Sequence, residues 1–289
     1  MKQVSVGPLE SVLAERRSGE PMTRQFASLA QLLALGGLVC AATVTAGWAQ
    51  GAPVTRVPCG AYEAVPSGVG SAGKPTRLSI QKGGRLLLTI SDWSITRVDC
   101  ADFNNDKTLE LLVTTYSGGA HCCETLRAWA LGTSPRQILE FAGGNADGFE
   151  PRDLDGDGRM ELLIGDDSFA YFDDLCYACS PSHLPMVACY ADGAFQDCTR
   201  RFPEVLRSAL TRYLDRVKPP DADTDIKQVE GAALGVLAIS VLLGEEDKGV
   251  EAVRQAAASE EVMKWLERAR PKVRDWAEAR GRKIKDGRQ

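Results

Sequence analysis

Asp102-Phe-Asn104-Asn-Asp106-Lys-Thr108-Leu-Glu110 and Asp153-Leu-Asp155-Gly-Asp157-Gly158-Arg159-Met-Glu161 carry nearly the same punctuation of oxygen ligands. Each runs directly into an apolar, strand-like stretch, Leu111-Leu112-Val113 in the first and Leu162-Leu163-Ile164 in the second. Oxygen side chains stand at loop positions 1, 3, 5 and 9. A backbone carbonyl is available at position 7, contributed by Thr108 and Arg159. This is the donor set a hard cation such as Ca²⁺ requires. Alternate residues of a tight turn converge on one point, where carboxylates without a cation repel one another. The alternative is a pair of solvated acidic turns. Two such runs in one chain, each feeding a strand, favour the cation.

The loops are not EF-hands. An EF-hand has a bidentate Glu at position 12 and a helix on either side. Position 12 here is Val113 or Ile164, and the last carboxylate sits at position 9. Position 6 favours glycine because the turn is sharp. Gly158 meets that demand, and Lys107 does not, so the first loop is expected to bind more weakly.

The pattern resembles the FG-GAP/VCBS class, the calcium-loop repeats of integrin-type β-propellers, over Arg77 to Phe202. The matched positions are Asp102 to Val113 and Asp153 to Ile164. The resemblance implies propeller-blade-like antiparallel strands and Ca²⁺ held by Asp102, Asn104, Asp106, Thr108 and Glu110, and by Asp153, Asp155, Asp157, Arg159 and Glu161. A closed propeller needs about four or more blades, and this span is too short for the seven of an integrin-like propeller. A second resemblance, to bacterial secreted proteins with a Ser-Gly-Gly-Ala-His-Cys-Cys run, rests on Ser117 to Cys123.

The N-terminus has the form of an export signal. Arg24 precedes an uncharged stretch from Phe26 to Ala49, and small residues close it near Ala46 or Ala49. Either Met1 or Met22 can serve as the start. An uncleaved N-terminal membrane anchor is the rival reading, since the stretch is long enough to span a bilayer. After cleavage no membrane span is expected. The formal net charge is −5, and nothing in its distribution suggests nucleic acid. The basic run Arg280 to Lys285 is expected to be a solvated helix end.

Eight of the nine cysteines follow residue 49: Cys59, Cys100, Cys122, Cys123, Cys176, Cys179, Cys189 and Cys198. An even number in an exported chain reads as a disulfide framework. We expect four bridges, all before Arg200. Cys189 and Cys198 flank the Asp192-Gly193 turn and can bridge across it, given a shifted turn or a bulge. Cys176-Tyr-Ala-Cys179 has the spacing of a redox pair but lies in a turn-rich stretch, so separate partners are expected, with Cys122 and Cys123 as candidates. His121-Cys122-Cys123 admits a thiolate nucleophile or a soft-metal site as alternatives. His183 reads as an exposed loop residue.

The expected organisation is a signal and extension over 1–49, a linker over 50–76, a disulfide-linked β domain over 77–202 and an α-helical C-terminal domain over 203–289. Leu78 to Ile90 reads as a hairpin with a Gly-Gly turn, and Ser168 to Phe172 as a strand candidate. Past Arg200 the apolar period becomes helical. Five helices are expected, the second apolar and buried, the fourth capped by Ser259 and the fifth opened by Pro271. No phosphate loop, nucleophile elbow or dinucleotide fingerprint is present, and no catalytic residue is assigned. The function expected is an exported Ca²⁺-binding structural or binding module for an envelope or extracellular protein or glycan. The alternative is an exported hydrolase or thiol oxidoreductase using the His121-Cys122-Cys123 region.

Overall fold

The computed structural model describes residues 55–70, 73–119, 123–144, 149–221 and 224–285. The expected signal segment lies outside them. All of the described residues belong to one compact unit.

Among the described residues, twelve strands make three four-stranded antiparallel sheets, each a meander of consecutive strands. Sheet 1 holds β1 (Val57–Cys59), β2 (Tyr62–Ser67), β3 (Arg77–Lys82) and β4 (Arg85–Ser91). Sheet 2 holds β5 (Ser94–Ala101), β6 (Glu110–Tyr116), β7 (Glu124–Ala130) and β8 (Arg136–Gly144). Sheet 3 holds β9 (Phe149–Arg152), β10 (Glu161–Asp166), β11 (Leu184–Ala191) and β12 (Ala194–Asp197). Two tight turns follow their sequence signals. Gly83 and Gly84 (φ 56° and 78°) join β3 to β4, and Asp192 and Gly193 (φ 53° and 82°) join β11 to β12.

The sheets stack face to face, and the alternation of side chains along each strand records it. On β6, Leu111 and Val113 enter a core shared with Leu78, Ile80 and Ile90 of sheet 1. Leu112 enters a second core with Phe149, Leu162, Ile164 and Met186 of sheet 3. Both faces of sheet 2 are therefore covered, which explains why Glu110–Thr115 is buried without a break. On sheet 3, Leu162 and Ile164 face sheet 2. Val187 and Cys189 face the opposite way, toward Phe202 and Val205. The far face of sheet 1 carries Glu63, Ser79, Gln81 and Thr89, none of them buried. The stack thus ends in water on one side and in helices on the other.

The helices are α1 (Pro203–Leu214), α2 (Ile226–Leu243), α3 (Glu246–Ala257) and α4 (Glu260–Ala279). Asp225 caps α2 through Lys227 N, and Gly244 at φ 72° ends it. By length and composition α2 could cross a membrane. Here Val229 to Ser240 is buried without interruption, within a core built from α1, α3 and α4. That core also takes in Phe169, Leu175 and Cys179 from the connection between β10 and β11, and Leu184 at the start of β11. The helical segment is continuous with the sheets through this connection. The C-terminal end ties back as well, since Glu140 on β8 exchanges two backbone hydrogen bonds with Lys285 (2.7 and 2.9 Å).

Five expectations need correction. The basic run Arg280 to Lys285 is not simply a solvated helix end, because Arg280 is buried against Asp166 and Asp197 and Lys283 pairs with Asp166. Residues 57–67, read as part of a linker, form β1 and β2; their Gly and Pro content marks turns, and Cys59, Tyr62 and Ala64 are core residues. Ser168 to Phe172 is a run of turns, not a strand, because Phe169 and Phe172 both serve the helical core. The expected fourth and fifth helices are one, α4, with Pro271 inside it. The stripe Val262, Trp265, Leu266, Ala269 and Val273 stays buried through the proline. That burial outweighs a proline cost of roughly 3 kcal/mol.

The last correction concerns disulfides. Cys176 pairs with Cys179, not with a more distant cysteine. Cys59–Cys100 links sheets 1 and 2, and Cys189–Cys198 crosses the last hairpin as expected. The hairpin register is regular, with Cys189 opposite Gln196. Cys198 is the diagonal neighbour on the same face, at a Cα separation of 5.8 Å. Neither a shifted turn nor a bulge is involved. Cys123 is also disulfide-bonded.

Candidate cation-binding loops

The two acidic loops occupy the same place in consecutive sheets. The first leaves β5 at Ala101 and re-enters β6 at Glu110. The second leaves β9 at Arg152 and re-enters β10 at Glu161. In each, the position-9 carboxylate is the first residue of the second strand. Its backbone is fixed by the sheet and its side chain is buried.

Inside the loops the hydrogen bonds repeat. Glu110 Oε2 accepts from Phe103 N and Glu161 Oε2 from Leu154 N, both at 2.9 Å. Asn104 Oδ1 accepts from Asp106 N (2.9 Å) and Asp155 Oδ1 from Asp157 N (3.3 Å). Asp106 Oδ1 accepts from Thr108 N (2.7 Å) and Asp157 Oδ1 from Arg159 N (2.8 Å). Asp102 Oδ2 accepts from Lys107 N (2.9 Å) and Asp153 Oδ2 from Gly158 N (3.1 Å). One contact differs. The other oxygen of the first Asp reaches Asp106 N in the first loop and Gly156 N in the second.

The backbone repeats too. Positions 4 and 6 are left-handed in both, at Asn105 and Lys107 (φ 57° and 69°) and at Gly156 and Gly158 (φ 76° and 83°). Lys107 adopts the glycine-like conformation despite its Cβ, at a cost of roughly 1–2 kcal/mol. The loops also touch. Met160 N donates to Phe103 O at 2.7 Å, and a Cβ on Gly158 would sit 3.2 Å from Asn105 Nδ2.

Charge crowding is the shared electrostatic feature. Glu110 is pushed up to about 7, first by burial and then by the Asp106 and Asp102 carboxylates. Glu161 is raised by burial, with Asp155 and Asp157 adding to it. In the second loop Asp153, Asp155 and Glu161 each bring an oxygen within 4.8 Å of the others. Asp157 is not in that group. Arg201 Nη2 approaches Asp155 Oδ2 at 3.4 Å and is the nearby countercharge. Among the described residues no comparable trio of carboxylates forms in the first loop. Position 3 there is an amide, and Asn104 Nδ2 donates to Glu110 Oε1 at 3.2 Å.

Asp153, Asp155 and Glu161 could hold a hard cation between them, and the first loop offers the corresponding oxygens. Each loop offers only oxygen donors and includes one buried glutamate, Glu110 or Glu161, whose ionisation burial disfavours. The sequence did not reveal that the two loops abut, because contact between sheets sets that. Of the other expected site, His121 and Cys122 lie outside the described residues. Cys123 is held in a disulfide rather than as a thiolate. His183 stands in a left-handed turn at φ 60° before β11. No family model matches the chain, and neither a curated protein nor a solved structure matches it.

Proposed function

We propose that the chain is an exported module in which Ca²⁺ bound to the two loops rigidifies a stack of propeller-type blades. The repeated hydrogen-bond pattern of Asp102–Glu110 and Asp153–Glu161 carries this reading. Two loops of different sequence repeat the same backbone-to-side-chain hydrogen bonds at the same strand junction. Asp102, Asn104, Asp106 and Glu110 would hold one ion with the Thr108 carbonyl. Asp153, Asp155, Asp157 and Glu161 would hold the other with the Arg159 carbonyl. The three meanders are blades of a stack that stays open, with helices in place of further blades.

The ions act on structure rather than on a substrate. Each would neutralise carboxylates at the start of a central strand and fix the junction between sheets 2 and 3. The partner would be an envelope or extracellular protein or glycan. An open groove of about 540 Å³ between β9–β10 and α1 offers a place for it, lined by Phe149, Glu150, Arg152, His183, Glu204 and Arg212 among others. The test is thermal unfolding of the chelator-stripped chain with and without Ca²⁺. A ligand held only by the folded state raises the midpoint by mass action. Equal midpoints in millimolar Ca²⁺ and in chelator would overturn the proposal.

A further inference from the structure

Cys176-Tyr-Ala-Cys179 closes the shortest of the three described cysteine bridges, with a sequence separation of 3 against 41 and 9. A bridge that short constrains the unfolded chain least, so its folding-linked stabilisation is the smallest of the three. Its two residues sit in opposite environments. Cys176 is exposed, and Cys179 is 1% exposed within the helical core. Cys176 is the only exposed residue among the described cysteines; Cys59 and Cys189 are buried, and Cys100, Cys123 and Cys198 are partly so.

Each sulfur also has an N–H donor aimed at it. Cys179 N donates to Cys176 Sγ at 3.1 Å, and Gln228 Nε2 on α2 donates to Cys179 Sγ at 3.6 Å. Such donors stabilise a thiolate more than a disulfide sulfur, because the acceptor is then charged. The turn is held from behind. A side chain on Gly231 of α2 would collide with the Cys179 carbonyl oxygen, so α2 packs directly against the turn's backbone. Ser180 Oγ accepts from Tyr171 N and donates to Cys176 O, pinning the other flank. The two sulfurs therefore sit in a pre-built frame, one facing solvent and one sealed.

We propose that Cys176–Cys179 is a thiol–disulfide exchange site for exposed protein dithiols, with Cys176 as the sulfur that is attacked. The substrate thiolate bonds to Cys176 Sγ, and the Cys176–Cys179 bond breaks. Cys179 leaves as a thiolate beside Gln228 and takes up a proton. The substrate's second thiolate then attacks its own sulfur in the mixed disulfide and expels Cys176 as a thiolate, which takes up the second proton beside the Cys179 N–H. The substrate gains a disulfide and loses two electrons and two protons. The pair gains the same and becomes a dithiol. This site is separate from the cation loops and does not rest on their occupancy.

The test equilibrates the full chain, purified without reductant, in graded glutathione buffers and maps alkylated cysteines by mass spectrometry. Half-reduction of Cys176–Cys179 is expected at a glutathione ratio at least tenfold more oxidising than for Cys59–Cys100 and Cys189–Cys198, about 30 mV. With oxidised glutathione, Cys179→Ser should accumulate an adduct at Cys176 at least tenfold faster than Cys176→Ser does at Cys179. The wild-type chain should oxidise dihydrolipoamide with this pair as the only one of the three reduced, and Cys176→Ser should abolish that oxidation. Concurrent reduction of all three bridges would overturn the proposal. So would selective reduction without dihydrolipoamide oxidation, which would leave the pair as a staple for the turn. If the variants fail to fold, the two wild-type measurements decide alone.

Discussion

Glu110 makes the loop electrostatics measurable without any ligand. Its side chain is fully buried at the start of β6, and Asp102 and Asp106 stand close enough to raise it further. The carboxyl moves from 4.5 to about 7 in the folded chain, which corresponds to about 3 kcal/mol between its two protonation states. The sign follows from linkage. The folded state holds this proton more tightly than the unfolded state does. Glu110's contribution to stability is therefore fully present below pH 4.5 and is lost as pH rises through about 7. Glu161 and Glu230 are also raised and act in the same direction. Glu110→Gln keeps an acceptor for Phe103 N–H and removes the charge, so comparing the two chains isolates Glu110. In chelator, urea unfolding of the wild type should lose about 3 kcal/mol more between pH 4.5 and 8 than Glu110→Gln does. In a unit of this size that is about 6–12 °C in melting temperature. In excess Ca²⁺ the wild-type loss should shrink, because the ion replaces the proton. Parallel pH profiles for the two chains in chelator would refute the crowding argument.

Lys107→Gly should stabilise the chain by about 1 kcal/mol in urea, since it relieves a left-handed Cβ at φ 69°. Gly158→Ala should destabilise it by a similar amount, with the contact to Asn105 added. Arg280 is buried against Asp166 and Asp197 (3.6 and 3.5 Å) and donates to Pro185 O. Arg280→Met should cost about 3–5 kcal/mol of folding stability by leaving Asp166 without one of its two cations. Gly231→Ala should loosen the seat of the Cys176–Cys179 turn on α2 and lower the melting temperature measurably, read by near-ultraviolet circular dichroism.

Local signals were the legible ones. Gly83-Gly84 and Asp192-Gly193 placed their hairpins because a tight antiparallel turn needs φ > 0. The uncharged run of α2 announced burial by composition. The spacing of the two acidic loops located the strand junctions at Glu110 and Glu161. What escaped depended on packing between elements. Nothing local shows that β6 is covered on both faces, or that Phe169 and Phe172 turn toward helices about a hundred residues later. Pro271 reads as a helix start on its own. It is carried inside α4 because the buried stripe from Val262 to Val273 continues past it. Cys176 and Cys179 looked like ends of long bridges, and the 3₁₀ turn Tyr177–Cys179 brought them together instead.

Calcium stoichiometry tests the central claim most directly. Isothermal titration of the chelator-stripped chain should find two Ca²⁺ per chain, the tighter assigned to the Asp153 loop with its glycines at positions 4 and 6. Asp153→Ala should remove the tighter site and most of the Ca²⁺-dependent stabilisation, and Asp102→Ala should remove the weaker site and less of it. Absence of binding heat at several temperatures, with unchanged unfolding in Ca²⁺ and in chelator, would show that the repeated loops are acidic turns and contradict the account.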